Sequence, residues 1–299
     1  YMLNLTVLPN TDGVSRTAYI YFVKVTDMES IVVEMVTIIQ RGEVASESTD
    51  YSSDKKVRVL QTAKLGKGLP IVLMGDGFID TEINDGTYDA VMDKAFENLF
   101  TEEPIKSLRD YFNVYAVTAV SKHNIFGTGY ETALGCELAG GNSTGISGED
   151  NAVQRYVQCV DNIDMSETLA VVILNSPAYA GTTYFGYTNQ TKVVEFAIAY
   201  CPVIYDLQSE SFRQVLVHEA VGHGFAKLED EYAYQENGTI SSKEIKNVQY
   251  LQTLGWAQNV DFTSDPSQVL WSAFLNDNRY VSEKLGAFEG ACTYIKGAY

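Results

Sequence analysis

With 299 residues, the chain is long enough for one large domain, or for a small domain followed by a medium-sized one. Its 39 acidic and 21 basic residues give a net charge of −18, and a field of that sign repels phosphate backbones and anionic lipids. Nucleic acid and membrane surfaces are therefore poor partners. No run of residues approaches the roughly 20 apolar positions that a transmembrane helix needs.

The first 45 residues contain runs of β-branched and aromatic residues separated by turn residues: LNLTVLP, TAYIYFVKV and SIVVEMVTIIQRGEV. Such a series of strands is typical of a β-sandwich. The stretch resembles the later strands of BACON domains, which precede catalytic modules in secreted Bacteroidota proteins. The similarity lies in the PN turn, in Arg16–Ala18 and in Gln40–Gly42. This resemblance implies a truncated all-β, sandwich-like domain at 1–45, which either contacts glycans or acts as a spacer.

The opening residues, YMLNLTVLPN, have neither the basic nor the apolar region of a signal peptide. We therefore predict a fragment of a longer protein that is secreted, held at the cell surface or periplasmic. The chain has four widely spaced cysteines and no C-x-x-C pair, which indicates disulfides in an oxidising compartment rather than a cysteine zinc site. The predicted pairs are Cys201–Cys292 and Cys136–Cys159, and four buried free thiols are the alternative.

Residues 43–56 are polar, charged and rich in serine, so a linker is predicted at 46–60 and a second domain at 61–299. In that domain buried strands alternate with helical patterns, which indicates an α/β sheet covered by helices. The predicted strands are LPIVLMGD, YFNVYAVTAVS and LAVVILNS, and the predicted helix is TYDAVMDKAFENLF. The Gly- and Ser-rich stretch at 134–151 is predicted to be a long surface loop.

The segment VLVHEAVGHGFAKLEDEY, residues 215–232, holds two of the three histidines of the chain. These are His218 and His223, with Glu219 directly after the first. A helix is predicted here, with Ser209 or Ser211 as its cap and Phe212, Val215, Leu216 and Ala220 as its apolar stripe. Because buried histidines need a partner or a ligand, the segment predicts either a metal site or two core histidines bonded to backbone carbonyls.

The two histidines are five positions apart, one more than in the zinc-peptidase motif H-E-x-x-H. At about 100° per residue, side chains five apart on a regular α-helix point about 140° away from each other and cannot share an ion. A π-bulge absorbs one residue and restores a shared face, and Gly222 is best able to adopt the distorted backbone. The motif is similar to that of the dipeptidyl peptidase III family, which has the longer spacing. The sequence thus predicts a zinc site on an altered helix.

Two imidazoles, a third protein ligand and one open position for water make a catalytic zinc site. Glu219 directly follows the first histidine and would lie beside that water. As general base it would take a proton from the water and return it to the leaving amine. The predicted reaction is therefore the hydrolysis of an amide bond.

Three motifs together resemble the IgA-peptidase family of zinc metallopeptidases. They are Gly75–Phe78 after a strand, Tyr111–Val117, and the H-E…G-H helix that runs into D-E-Y at 230–232. The resemblance covers about residues 70–299. It implies a metzincin-like mixed sheet with an active-site helix, one catalytic Zn²⁺ and a protein or glycoprotein substrate. Many members have the shorter H-E-x-x-H, and the methionine turn expected beneath the helix is not found before Tyr299.

The carboxylates after His223 that could be the third ligand are Glu229, Asp230, Glu231 and Glu244. On an unbroken helix Asp230 would stand about 10 Å further along the axis, so the chain must bend, and Gly224 is the most permissive position. The family match at D-E-Y selects Asp230, with Glu231 and Tyr232 beside the site. A metzincin-like spacing would select Glu229, and a thermolysin-like arrangement would select Glu244 on a following helix.

Asp76 lies between glycines at the end of a predicted strand, where ligand sites of α/β sheets form. It is expected to bind a structural Ca²⁺ ion, to support the zinc helix, or only to stabilise a turn.

The predicted function of the chain is that of a zinc endopeptidase acting on extracellular proteins. The alternatives are a non-catalytic, zinc-containing binding or adhesion protein and another metal-dependent amidohydrolase. The intact Glu219 argues against the binding protein, because a purely structural metal site needs no base.

Overall fold

The computed structural model of the protein describes residues 16–25, 30–40, 45–139, 145–189 and 192–299. In its first part, β1 (Arg16–Val25) and β2 (Ser30–Gln40) form an antiparallel pair with a register shift at Phe22/Val23. Two of the predicted N-terminal strands are thus confirmed, while LNLTVLP and the PN turn lie outside the described residues. A sandwich domain at 1–45 stays a prediction, since the described strands form a single pair.

The rest of the described chain is built on a mixed sheet. Its six strands are β3 (Val57–Gln61), β4 (Leu69–Asp76), β5 (Phe112–Val117), β8 (Leu169–Leu174), β9 (Thr182–Asn189) and β10 (Lys192–Pro202). A separate antiparallel pair is formed by β6 (Glu137–Leu138) and β7 (Ile146–Ser147). The six-stranded sheet has the order β3-β5-β4-β8-β10-β9. Its four inner strands are parallel, and the outer strands β3 and β9 are antiparallel to their neighbours. The predicted α/β fold with a mixed sheet is confirmed, and the three predicted buried strands are β4, β5 and β8.

Helices cover both faces of this sheet. They are α1 (Asp80–Asn84), α2 (Thr87–Leu99), α3 (Asp150–Val157) and α4 (Glu210–Leu216), which continues into a π-helix at Val217–Phe225. A further helix, α5 (Ser242–Thr253), packs in a separate C-terminal cluster. Short 3₁₀ helices occupy Arg109–Tyr111, Met165–Glu167, Ser272–Phe274 and Asn278–Glu283. The predicted helix TYDAVMDKAFENLF corresponds to α2. Among the described helices, none is both long and apolar enough to span a bilayer.

Two cores lie on opposite sides of the sheet, because successive residues of a strand point to opposite faces. Leu73 of β4 packs on the side of α2 and α4, where Phe212 is fully buried. Its neighbour Val72 packs on the other side, against Val153 of α3. The result is a helix–sheet–helix sandwich in which α4 and the π-helix lie against one face of the central strands.

The segment predicted as a linker at 46–60 is instead bound to the sheet domain. The Asp80 carboxylate accepts hydrogen bonds from the backbone N–H groups of Thr49 (2.9 Å) and Asp50 (2.8 Å). The hydroxyl of Ser48 donates to the carbonyl of Ser121 at 2.7 Å. The polar residues that suggested a linker therefore form turns and anchors, and the predicted boundary at residue 60 falls inside β3.

The Gly- and Ser-rich stretch at 134–151 also differs from the predicted surface loop. Its described residues include the β6–β7 pair, and Leu134, Cys136 and Ile146 are buried in the core on the α3 side. Asp76 holds this stretch in place. Its buried carboxylate accepts hydrogen bonds from the hydroxyls of Ser121 and Thr132 and from the N–H groups of Leu134 and Cys136. Of the three roles expected for Asp76, turn stabilisation fits these contacts. None of these four donors lies on the histidine helix, and together they occupy both oxygens, so the contacts give no support to a role in holding that helix or in binding Ca²⁺.

All four cysteines are free thiols in the structure, so both predicted disulfides are wrong. Cys201 is buried in the core between the sheet and α4, whereas Cys292 belongs to a separate C-terminal cluster around α5. Cys136 is buried on the α3 side of the sheet, and the half-buried Cys159 donates its thiol hydrogen to the carbonyl of Arg155 (3.4 Å). The alternative of four buried free thiols is confirmed for Cys136, Cys201 and Cys292, whereas the free thiol of Cys159 is only half-buried.

Candidate metal centre

The histidine segment forms a helix that begins at α4, with Ser209 at its N-cap. Ser209 is one of the two predicted caps, although its side chain makes no capping hydrogen bond. Along the predicted apolar stripe, Phe212, Leu216 and Ala220 are fully buried, and Val215 packs against the same core. The helix and its buried face are therefore confirmed, and the face binds the helix to the sheet.

From Val217 to Phe225 the helix is a π-helix of nine residues. Its hydrogen bonds join residues five apart, so His218 and His223 come to lie one turn from each other. Their ring centroids are 4.6 Å apart and their Nε2 atoms 3.1 Å apart. The predicted π-type distortion is confirmed, and it extends further than the single bulged turn that was expected. A Cβ at Gly222 would meet only the Val217 carbonyl oxygen, at 3.9 Å, and its φ is not in the left-handed region, so neither space nor backbone conformation requires a glycine at this position.

Gly224 is required by packing rather than by a bend. A Cβ there would lie 2.6 Å from the Cδ1 atom of Leu169 on β8, so the helix approaches the sheet too closely for a side chain. The π-helix runs on to Phe225, and the chain turns at Lys227, which has a φ of 57°. A left-handed residue just past a helix end is a common way to stop it. The predicted bend at Gly224 is therefore wrong, and the turn comes three residues later.

This turn brings Asp230 back to the two imidazoles. Its Oδ1 atom lies 3.1 Å from His223 Nε2 and 3.3 Å from His218 Nε2. The three side chains each offer a ligand atom within 4.8 Å of the others, and no second such group occurs among the described residues. Two histidine nitrogens and a carboxylate oxygen are a donor set that suits Zn²⁺.

The other candidate ligands lie outside this group. Glu231 is exposed and accepts a hydrogen bond from Asn259, and Glu244 lies in the first turn of α5. Glu229 precedes Asp230, and burial raises the pKa of its carboxyl. Tyr232 extends over His218, with ring centroids 6.2 Å apart and planes inclined by 30°. Of the four carboxylates considered, the fold thus brings Asp230 to the histidines.

The ring of His223 is held in a tautomer that suits a ligand. Its Nδ1 atom lies 2.6 Å from the carbonyl oxygen of Leu228. A carbonyl only accepts, so Nδ1 carries the hydrogen, and in the neutral ring Nε2 would present its lone pair to the group. Metal-binding histidines are commonly oriented by such a bond. Phe185 of β9 stacks on the same ring, 6.5 Å away and within 8° of parallel.

Asp230 and His223 stabilise each other's charged forms. Burial alone raises the pKa of Asp230, but hydrogen bonds and charges from both imidazoles outweigh it and hold that pKa well below its usual range. Burial lowers the pKa of His223, and the bonds to Asp230 and Leu228 outweigh this and raise the pKa to about 9. The carboxylate thus stays ionised, and a metal ion that bound between these groups would have to displace the proton from His223 Nε2.

Glu219 is buried beside the histidines, against the sheet edge. The Thr183 hydroxyl of β9 lies 2.8 Å from Glu219 Oε2 and 2.9 Å from the Glu219 carbonyl oxygen. Gly181 leaves room for this carboxylate, since a Cβ there would lie 2.5 Å from Glu219 Oε1. Burial raises the pKa of Glu219, while the Thr183 hydrogen bond and the histidine charges act against that rise.

Gly181 and Thr183 were not predicted as site residues from the sequence. The runs TTYFGYTN and KVVEFAIAYCP are rich in β-branched and aromatic residues and could have been recognised as β9 and β10. That signal would have predicted the strands. It would not have shown that β9 lies beside the histidine helix.

The family model described as IgA Peptidase M64 matches residues 57–282. The chain belongs to the IgA peptidase M64 family. This M64 protein is therefore a metallopeptidase, a hydrolase of a typically zinc-dependent family that acts on protein substrates. The matched region begins at the first residue of β3 and includes the candidate ligands His218, His223 and Asp230. The resemblance found from three motifs is confirmed, whereas the BACON-like similarity and the Bacteroidota origin stay predictions. A comparison with curated proteins finds no match.

Proposed function

We propose that this M64 protein is a zinc endopeptidase of extracellular proteins or glycoproteins, with His218, His223 and Asp230 as metal ligands and Glu219 as general base. One observation carries the proposal. Two Nε2 atoms and a carboxylate oxygen converge within 4.8 Å beside a buried glutamate. The extracellular location is supported by the net charge of −18 and by the BACON-like resemblance of residues 1–45. Glycan contact by those residues belongs to the same proposal.

Zinc held by the three ligands would polarise the scissile carbonyl and lower the pKa of the attacking water. Glu219 accepts a proton from that water and returns it to the leaving amine. Its raised pKa suits an acid–base group, which works best when its pKa approaches the operating pH. Tyr232 is exposed beside His218 and is proposed to contact the substrate, with Glu231 next to it.

The free edge of β9 supports an endopeptidase rather than an enzyme that trims chain ends. Within the described sheet, β9 pairs with β10 on one side and with no strand on the other. Its residues Thr183 and Phe185 contact Glu219 and His223. A peptide that adds to this edge as a strand would run past the metal ligands and continue in both directions.

Incubation with casein and with a mixed peptide library, each with and without a chelator, tests the function. Cleavage of internal peptide bonds that stops with chelator and returns with zinc is the expected result. Cleavage only of non-peptide amides would favour another metal-dependent amidohydrolase. No cleavage by zinc-loaded protein would favour the non-catalytic binding protein.

The zinc content provides a separate prediction. Extensively dialysed protein is expected to hold one zinc ion per chain by elemental analysis, because the three ligand atoms already lie close together. His223→Ala should abolish this content. His123→Ala is the control, since His123 bonds to Glu131 and is not part of the ligand group. A substoichiometric content that added zinc does not restore would contradict the site.

Gly181→Ala is expected to lower kcat by about 10-fold or more, because a displacement of about 1 Å at a catalytic group costs up to ~10²-fold. The new methyl group would lie 2.5 Å from Glu219 Oε1 and 2.8 Å from Glu219 Cγ. It would also lie 2.8 Å from Cγ1 of Val215, so Val215 would have to shift together with the Glu219 side chain. Neither residue belongs to the ligand group, so the zinc content should change little, and the melting temperature shows whether the lower kcat comes with a loss of stability.

Gly238→Ala is the matched control for this variant, because a Cβ at 238 meets nothing within 4 Å. Both variants should be assayed for kcat, KM, melting temperature and zinc content. A Gly181→Ala enzyme with the kcat of the parent would show that the position of Glu219 does not matter.

A further inference from the structure

Asp230 lies on a part of the chain without helix or strand, between the turn at Lys227 and the isolated bridge at Ala233. A ligand on irregular backbone needs other contacts to hold it, because the elements of the sheet do not position it directly. One such contact is the N–H of Cys292, which donates to the Asp230 carbonyl at 2.8 Å. The others come from a segment about thirty residues further along the chain.

The Asn259 side chain makes three hydrogen bonds to the two residues that flank Asp230. Its Oδ1 accepts the N–H of Glu229 at 2.9 Å, and its Nδ2 donates to the Glu229 carbonyl at 2.8 Å and to Glu231 Oε1 at 2.9 Å. A primary amide offers two donor hydrogens and one acceptor oxygen, so these bonds use each kind of group. The amide thus pairs with the Glu229 backbone much as a neighbouring strand would.

The backbone before Asn259 extends this contact. The N–H of Ala257 donates to the carbonyl of Lys227 at 2.8 Å, so the 257–259 segment runs along the 227–229 segment. The ligand loop is therefore bound at its start by backbone and on both sides of Asp230 by one side chain. Neither contact touches the imidazoles.

We propose that Asn259 is a positioning residue of the metal centre, which holds Asp230 at His218 and His223. The inference rests on the proposed function in that these three residues bind zinc. Without the amide, the Glu229 backbone groups lose their partners and the loop gains freedom. Loss of a group that orients a metal ligand typically weakens metal binding by ~10–100-fold.

The test is the Zn²⁺ affinity of the full chain, measured by competition with a chromophoric chelator. Asn259→Ala is expected to bind zinc about 10-fold or more weakly than the parent protein. Gln258→Ala is the matched control: it removes the adjacent side-chain amide, which donates to the carbonyls of Gln252 (3.1 Å) and Trp256 (3.0 Å). Its affinity should equal that of the parent. Equal affinities of Asn259→Ala and the parent would overturn the inference.

A double-mutant cycle separates positioning from mere stabilisation of the fold. In an Asp230→Ala background, Asn259→Ala should weaken zinc binding no further, because its effect passes through Asp230. A persistent effect in that background would overturn the inference. If Asn259→Ala does not fold, Glu231→Ala takes its place. It removes one of the three Asn259 bonds at an exposed position, and a smaller loss of affinity is expected. Unchanged affinity there would count against the inference.

Zinc affinity is measured independently of peptidase activity, so the two proposals can fail separately. A parent protein that binds zinc and cleaves no peptide would overturn the proposed function and leave the inference to be decided by the variants. A parent protein without zinc affinity would overturn both.

Discussion

Glu219→Gln is expected to lower kcat by about 10²-fold or more, a typical contribution of general acid–base catalysis, with the zinc content unchanged. Glutamine keeps the shape of the side chain, and its amide oxygen can still accept the Thr183 hydroxyl, which lies 2.8 Å from Glu219 Oε2. What is lost is the group that takes a proton. Steady-state kinetics on a peptide substrate, together with elemental analysis of the same preparation, measure both quantities.

Glu229→Gln is the matched control for this prediction. It removes a carboxylate whose pKa burial also raises and which is close enough to His223 to feel its charge, but it lies outside the ligand group. Its kcat should stay near that of the parent. Near-normal activity of Glu219→Gln would show that another group is the general base. If that variant lost zinc, its lower kcat would be explained by the loss of the metal and not by the loss of the base.

The π-type distortion of the histidine helix could be predicted from the sequence because the five-residue spacing of the two histidines allows a shared face in no regular α-helix. Two histidines five apart share a face on a π-type helix and not on an α-helix, and the structure has the π-helix at Val217–Phe225. The long apolar runs at β4, β5 and β8 were equally informative, since strands buried on both faces need such runs.

Other features depend on contacts that no local pattern encodes. A side chain at position 224 would clash with Leu169 on β8, and a side chain at position 181 would clash with Glu219 on the helix. Asn259 bonds to a loop thirty residues earlier in the chain. That loop follows a turn at Lys227, and a lysine does not by itself predict a positive φ. The serine-rich segment before β3 has the composition of a linker, yet Ser48 is buried, because Ser121 and Asp80 supply partners for its polar groups.

The choice of Asp230 over Glu229 is a similar case. The spacing after His223 allowed either residue, and the family resemblance decided between them. In the structure the π-helix continues to Phe225, Lys227 reverses the chain, and Asp230 Oδ1 then lies near both Nε2 atoms, which supports the proposal of Asp230 as the third ligand.

Asp230→Ala is therefore expected to weaken zinc binding by more than the ~10–100-fold typical of an orienting residue, because it removes a ligand atom and the negative charge between two imidazoles. Glu244→Ala should leave the affinity unchanged. Glu244 lies in the first turn of α5, where its N–H is capped by Ser241 (3.2 Å) and its carboxylate is outside the ligand group. Competition with a chromophoric chelator measures both affinities, and Asp230→Asn separates the loss of charge from the loss of shape. If Glu244→Ala weakened binding while Asp230→Ala did not, the third ligand would lie on α5, as in peptidases of the thermolysin type.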